Sequence, residues 1–325
     1  MKFKSQKTLT AGLIAVVLLF FASFTSEGQE KKIVVAQDGS AAFKTIAEAI
    51  SSIPEGNTTP VVILVKNGIY KEKLTFPKTK SNIRLIGEDV NRTILTYDDY
   101  ASKKDSAGKD IGTSRSASVF VLSNDFIAEN ITFENSSGPV GQALAISVGG
   151  DRVFFKNCRF LGFQDTIYTS GGTTHQYFYN CYIEGTVDFI FGAATAVFEK
   201  CEIFCKRGGY ITAASTPEGQ KYGYIFRECK ITGTAPENSF FLGRPWRPYA
   251  KVVFIKCELP ALIKAEGWHN WGKESNEKTA FYAEYKNKGE GFQPDKRVRW
   301  SRQLTKKEAS EYTLEEIFVD WKPGK

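Results

Sequence analysis

The chain has 325 residues, 42% of them hydrophobic and 24% charged, with a formal net charge of +7. That length is ample for a large core, and so mild a basic excess names neither an acidic polymer nor a nucleic acid as partner. After the first residues no stretch is apolar for long enough to cross a bilayer.

The N-terminus predicts an export signal. Lys2, Lys4 and Lys7 precede an apolar run from Leu9 to Phe24, and small residues at Ser26 and Gly28 place cleavage before Gln29. An uncleaved anchor is the alternative, but the run is short for a full span. No cysteine ends it, which argues against a lipid anchor. Residues 1–28 are therefore read as a signal peptide and 29–325 as one exported domain, secreted or periplasmic, with no linker to divide it and a net charge of +5. Next, Phe43, Ile46, Ala47 and Ile50 fall at helical spacing and predict a capping helix.

From residue 127 onward a short strand recurs. Phe-Phe-Lys-Asn-Cys158, Phe-Tyr-Asn-Cys181, Val-Phe-Glu-Lys-Cys201, Phe-Arg-Glu-Cys229 and Phe-Ile-Lys-Cys257 follow a copy that carries Ile131 in place of cysteine. The cysteine intervals are 23, 20, 28 and 28 residues, the irregular period of a β-solenoid. Successive turns of such a fold stack about 4.8 Å apart, so a recurring position becomes an interior ladder. An even count of six cysteines in an exported chain ordinarily suggests disulfides. Here the ladder favours buried free thiols, with Cys205, off the ladder, left as a potential bridge partner of Cys201. The fold class is all-β, a right-handed single-stranded parallel β-helix with short helices covering its ends. At the C-terminal end, Thr305 with Glu308 and Thr313 with Glu316 have the spacing of helix capping boxes.

The repeat also aligns two acids. Asp165 lies seven residues after Cys158 and Asp188 seven after Cys181, with Gly162 over Gly185. Carboxylates on adjacent turns repel by about 3 kcal/mol at an effective dielectric near 20, so one keeps its proton while the other ionises. That pair suits acid-assisted nucleophilic chemistry. It also suits a retaining glycosidase, or two turn aspartates with no chemistry at all.

Five motifs in order make the chain resemble the pectin methylesterases, a family of carbohydrate esterases. They are Gly68-Ile-Tyr70-Lys-Glu72, Gln142-Ala-Leu-Ala-Ile146, Gly162-Phe-Gln-Asp165-Thr-Ile-Tyr168, Asp188-Phe-Ile-Phe-Gly192 and Leu242-Gly-Arg244-Pro-Trp246. The resemblance implies Asp188 as nucleophile, Asp165 as general acid then base, and Arg244 as the group that holds Asp188 ionised. It further implies that Gln142 and Gln164 stabilise an oxyanion, and that Thr113, Tyr168, Phe191, Trp246 and Trp271 line a sugar groove. The implied substrate is methylated homogalacturonan, acted on by a monomer with no cofactor, no metal and no nucleic-acid or membrane partner once the signal is removed. The first motif is read as structural.

Two rivals remain: a β-helix galacturonan hydrolase or lyase, and a non-catalytic pectin-binding solenoid. A lyase calls for an acidic calcium cluster, and Asp98-Asp99 is the only acidic doublet nearby in the earlier turns. A Ser-His-Asp hydrolase finds little support, since the chain has only two histidines and no Gly-x-Ser-x-Gly elbow. The two histidines, His175 and His269, are read as structural or surface groups.

Overall fold

The computed structural model describes residues 1–2 and 31–323. The predicted signal run lies outside them, apart from its first two residues. Among the described residues no helix is long and apolar enough to cross a membrane. Short strands stack in parallel, turn upon turn. One sheet of eleven strands starts at Lys31–Val35 and ends at Arg302–Gln303. The other strands form two parallel columns that merge where Tyr182–Gly192 and Glu202–Ala214 run unbroken through the corner.

The turns repeat because their chemistry repeats. Ile131, Cys158, Cys181, Cys201, Cys229 and Cys257 are all buried, and each position follows a residue with positive φ (Asn130, Asn157, Asn180, Lys200, Glu228 and Lys256). A left-handed residue turns the chain sharply, and of the residues other than glycine asparagine tolerates it best. The five ladder cysteines each direct Sγ at a carbonyl of the turn below, Cys229 to Phe198 at 3.3 Å for example. Three residues before each cysteine stands a phenylalanine, and Phe155, Phe178, Phe198, Phe226 and Phe254 stack at 4.3 to 4.9 Å. All six cysteines are free and buried, Cys205 included, so the alternative of a Cys201–Cys205 bridge is corrected. Burial alone pushes the Cys205 thiol well up, which keeps it protonated.

The lower end is closed by the helix Ile46–Ser51, which buries Ile46, Ala49 and Ile50. It begins later than the spacing predicted. Thr45 and Glu48 form a capping box that fixes the start, so Phe43 stays outside, bridged to Val35, and Ala47 faces out. The motif around Tyr70 serves this cap. Glu72 accepts the Ile46 and Ala47 N–H groups, both at 3.0 Å, and Lys80 donates to the Ile50 and Ser51 carbonyls at the other end. Replacing Glu72 by alanine is expected to cost roughly 1–3 kcal/mol of stability by orphaning those donors. The urea midpoint should fall, with the slope of the transition unchanged.

At the upper end Asn287 takes the ladder position, accepts the Cys257 N–H at 2.8 Å and reaches a buried Glu284–Arg297 ion pair. The segments Lys306–Ala309 and Leu314–Ile317 lie along the outer face of the eleven-stranded sheet, with Tyr312 against Tyr222 and Phe318 against Tyr177. Thr305 and Glu308 make the full capping box, whereas Thr313 only accepts the Glu316 N–H.

Candidate active site

Asp165 and Asp188 occupy equivalent places on adjacent turns. Ile167 pairs with Ile190, and the Asp165 N–H donates to Val187 O at 3.1 Å, so the two acids are in register one strand spacing apart. Both have positive φ, 67° and 51°, and both are only 7% exposed. Gly162 and Gly185 make these corners possible. A Cβ on Gly185 would meet Phe189 Cβ at 2.2 Å, and one on Gly162 would meet Thr166 Oγ1 at 2.6 Å. The pairing of Tyr182–Gly192 with Glu202–Ala214 shifts register on both sides of Val187, a bulge that turns Asp188 out of the ladder and into a cleft.

Arg244 arrives from the strand Phe240–Pro245, two turns further on. Its guanidinium donates to both carboxylate oxygens of Asp188, Nε at 2.9 Å and Nη2 at 2.7 Å. Tyr210 and Trp271 each place a ring centroid 3.8 Å from Arg244 Cζ. Two rings that close cannot share one face of a planar group, so the guanidinium is held between them.

Both acids shift in the same direction, Asp165 more strongly than Asp188. Burial raises Asp165 well above the ordinary carboxylate value, the Asp188 charge adds to the rise, and Arg244 offsets part of it. Asp188 is also raised, because burial outweighs the two bonds from Arg244. The resemblance weighed the arginine and had no measure of burial. Asp165 bears the greater shift and takes the proton first.

Gln142 and Gln164 are bridged partners on neighbouring turns beside the acids. Tyr168 stacks on Phe191 at 4.6 Å and 9°, and Phe191 meets Trp246 edge-on at 5.8 Å. Thr113 opens a single 3-10 turn, Thr113–Arg115, at the rim. All ten residues singled out from the sequence thus line one cleft of about 500 Å³. Phe191 is buried and forms the floor of the cleft beneath its neighbours. The sequence missed Ser114 on the rim and Tyr210 beneath Arg244. His269, read from the sequence as structural or surface, accepts the Trp271 N–H on Nδ1 at 3.0 Å. Tyr210 pairs with Val187, so continuing the repeat by one turn would have found it, but the register shift hides the alignment. The Asp98-Asp99 doublet is engaged by Lys71, Lys73 and Lys103, and among the described residues no group of three or more acidic, histidine or cysteine side chains is placed to hold a metal ion.

The Pectinesterase family model matches residues 32–320, most of the chain and the whole of this cleft. The chain belongs to the pectinesterase family. It is thereby a carboxylic ester hydrolase. Pectinesterase 31 of Arabidopsis thaliana is 46% identical over 292 residues, covering 88% of this chain and 91% of that one. Pectinesterase 4 of the same plant is 38% identical over 283 residues, and there the chain spans about half of the relative's length, 47%. Among solved structures, a pectin methylesterase in complex with a hexasaccharide matches at a TM-score of 0.80 and 33% identity, covering 91% of this chain and 99% of that one. Pectin methylesterase from carrot matches at 0.81 and 34%, covering 88% and 92%. With these pectinesterases the chain shares the parallel β-helix predicted from the cysteine ladder.

Proposed function

We propose that this pectinesterase removes methyl groups from methylated homogalacturonan by aspartate nucleophilic catalysis. The observation that carries the reading is the bidentate Arg244–Asp188 pair set beside a second, more strongly raised acid, Asp165, in one cleft. Asp188, ionised and aimed by Arg244, attacks the ester carbonyl carbon. The tetrahedral oxyanion is met by the Gln142 and Gln164 side-chain amides, neutral donors that leave the Arg244–Asp188 pair intact. Asp165 gives its proton to the methoxy oxygen, methanol departs, and an acid anhydride joins the substrate to Asp188. Asp165, now a carboxylate, takes a proton from water as that water attacks the substrate carbonyl. The anhydride opens, the uronic acid leaves, and Asp188 and protonated Asp165 are restored. Tyr168, Trp246, Trp271 and Thr113 form the walls along which the sugar rings lie. The enzyme acts as an exported monomer after loss of residues 1–28.

Incubation with highly methylated pectin tests this, with methanol, reducing ends and absorbance at 235 nm followed together. Methanol alone is the expected result. New reducing ends would move the reading to a hydrolase, and unsaturated products to a lyase. A polymer bound without any product would leave a carbohydrate-binding solenoid.

Arg244→Lys offers a finer check. Lysine keeps the charge but loses the two parallel bonds and the flat face between Tyr210 and Trp271. We expect kcat to fall by about a hundredfold, equivalent to roughly 3 kcal/mol. Arg244 lowers the Asp188 pKa, so weakening it raises that pKa and moves the acid limb of the kcat profile to higher pH.

A further inference from the structure

The guanidinium that aims Asp188 is itself held by two rings, and one of those rings has a hold of its own. Trp271 has a φ of 64°, a conformation that costs a bulky residue energy and persists only where neighbours enforce it. Its N–H donates to His269 Nδ1 at 3.0 Å, two residues back, and the Asn270 side chain accepts the Gly272 N–H at 2.8 Å. The turn is anchored below by the His269 N–H on Gly243 O, next to Arg244, at 3.1 Å. The imidazole packs on Tyr210 and Phe241, with centroids 5.6 and 5.4 Å away. His269 therefore contacts the Tyr210 ring and the Trp271 backbone while staying out of the cleft lining.

We infer that His269 is a positioning residue: by accepting the Trp271 N–H it holds the Trp271 ring against Arg244 and keeps the guanidinium set on Asp188. This rests on the esterase reading above. A backbone N–H can only donate, so Nδ1 must carry its lone pair and the proton must reside on Nε2. Protonation at Nδ1 abolishes the acceptor and adds a second cation near Arg244. Trp271 is then released from its turn, and Arg244 loses one of its two faces.

The surroundings keep the imidazole neutral under ordinary conditions. Burial and then the Arg244 charge hold His269 below its usual 6.5. The other ionisable groups around it are Tyr210 on one side and Lys264, Glu266 and Glu277 on the other. Glu277 is occupied by the Asn270 amide at 2.7 Å. The switch thus operates on the acid side of neutrality, where it adds to the loss of activity that Asp188 causes by itself.

Two substitutions separate positioning from mere support. His269→Asn keeps an acceptor at the same reach, since an asparagine side chain accepts from the N–H two residues on, and it does not titrate. His269→Phe keeps the ring packing on Tyr210 and Phe241 but has no acceptor. At pH 7 His269→Phe is expected to lose about tenfold in kcat, the scale of one backbone hydrogen bond and one ring contact, while His269→Asn retains most of it. In acid, wild-type kcat should fall by up to about tenfold more than kcat of His269→Asn, the same factor that loss of the acceptor costs at pH 7. Wild-type kcat in His269→Phe, or an unchanged acid limb in His269→Asn, would overturn the inference. Wild-type protein that releases no methanol would instead overturn the esterase reading on which it rests. Thermal melts of both variants distinguish a positioning loss from a folding loss.

Discussion

Replacing Asp188 by alanine is expected to lower methanol release by at least about 10⁴-fold while leaving the β-helix folded. The size follows from the role. A nucleophile that forms the covalent intermediate has no substitute in the cleft, and removing one member of such a unit costs nearly as much as removing the unit. Asp165 does not stand in, because burial raises it well above the ordinary carboxylate value and Arg244 donates to Asp188 instead. The fold should survive, because the strand Tyr182–Gly192 is held on both sides by parallel ladders that do not use the Asp188 side chain. Arg244 remains stacked between Tyr210 and Trp271, so its charge stays in place and continues to attract uronate groups. Pectin affinity should accordingly persist within severalfold. The decisive assay pairs methanol release with binding to methylated polymer. Residual turnover near a tenth of wild type would remove Asp188 from the nucleophile's role.

The sequence carried the architecture because a solenoid writes its geometry as a period. Five cysteines and one isoleucine at one register gave the ladder, and counting seven residues on from two of them gave the paired aspartates. The phenylalanines three residues before each cysteine were equally visible, and they form the second stack of the core. The left-handed residue before each ladder position was harder to read. Asn130, Asn157 and Asn180 advertise it, but Lys200, Glu228 and Lys256 adopt the same conformation against their own preference, imposed by the turns stacked on either side. The supports of Arg244 were hidden for a different reason. Tyr210 follows a register shift, and His269 acts through a bond to the backbone of Trp271, so neither leaves a periodic or motif signal. Burial was the other blind spot. The motifs place Arg244 on Asp188, but only the packed cleft reveals that desolvation outweighs it and leaves both acids raised.

Asp165→Asn should impair catalysis and stabilise the protein at the same time. In the proposed role of general acid, Asp165 accelerates departure of a poor leaving group, and loss of such a group is worth about 10²–10⁴-fold in kcat on methyl esters. Its cost to stability follows from linkage. The folded-state pKa lies above the value of 3.8 ordinary for aspartate, so the folded protein holds a proton that the unfolded chain releases. Stability therefore declines as pH rises from about 4 toward the raised value and then levels off. Asparagine never ionises, so the variant should melt above wild type at pH 7, with the advantage shrinking to nothing below about pH 4. An aryl galacturonate ester separates the two catalytic uses of the group. Its leaving group departs without a proton, so acylation of Asp188 should proceed in the variant, whereas water still lacks its base. A burst of one equivalent of phenol followed by a stall is the expected trace. Steady turnover at the wild-type rate would exclude Asp165 as the base, and a missing burst would show that it does more than protonate the departing methoxy oxygen.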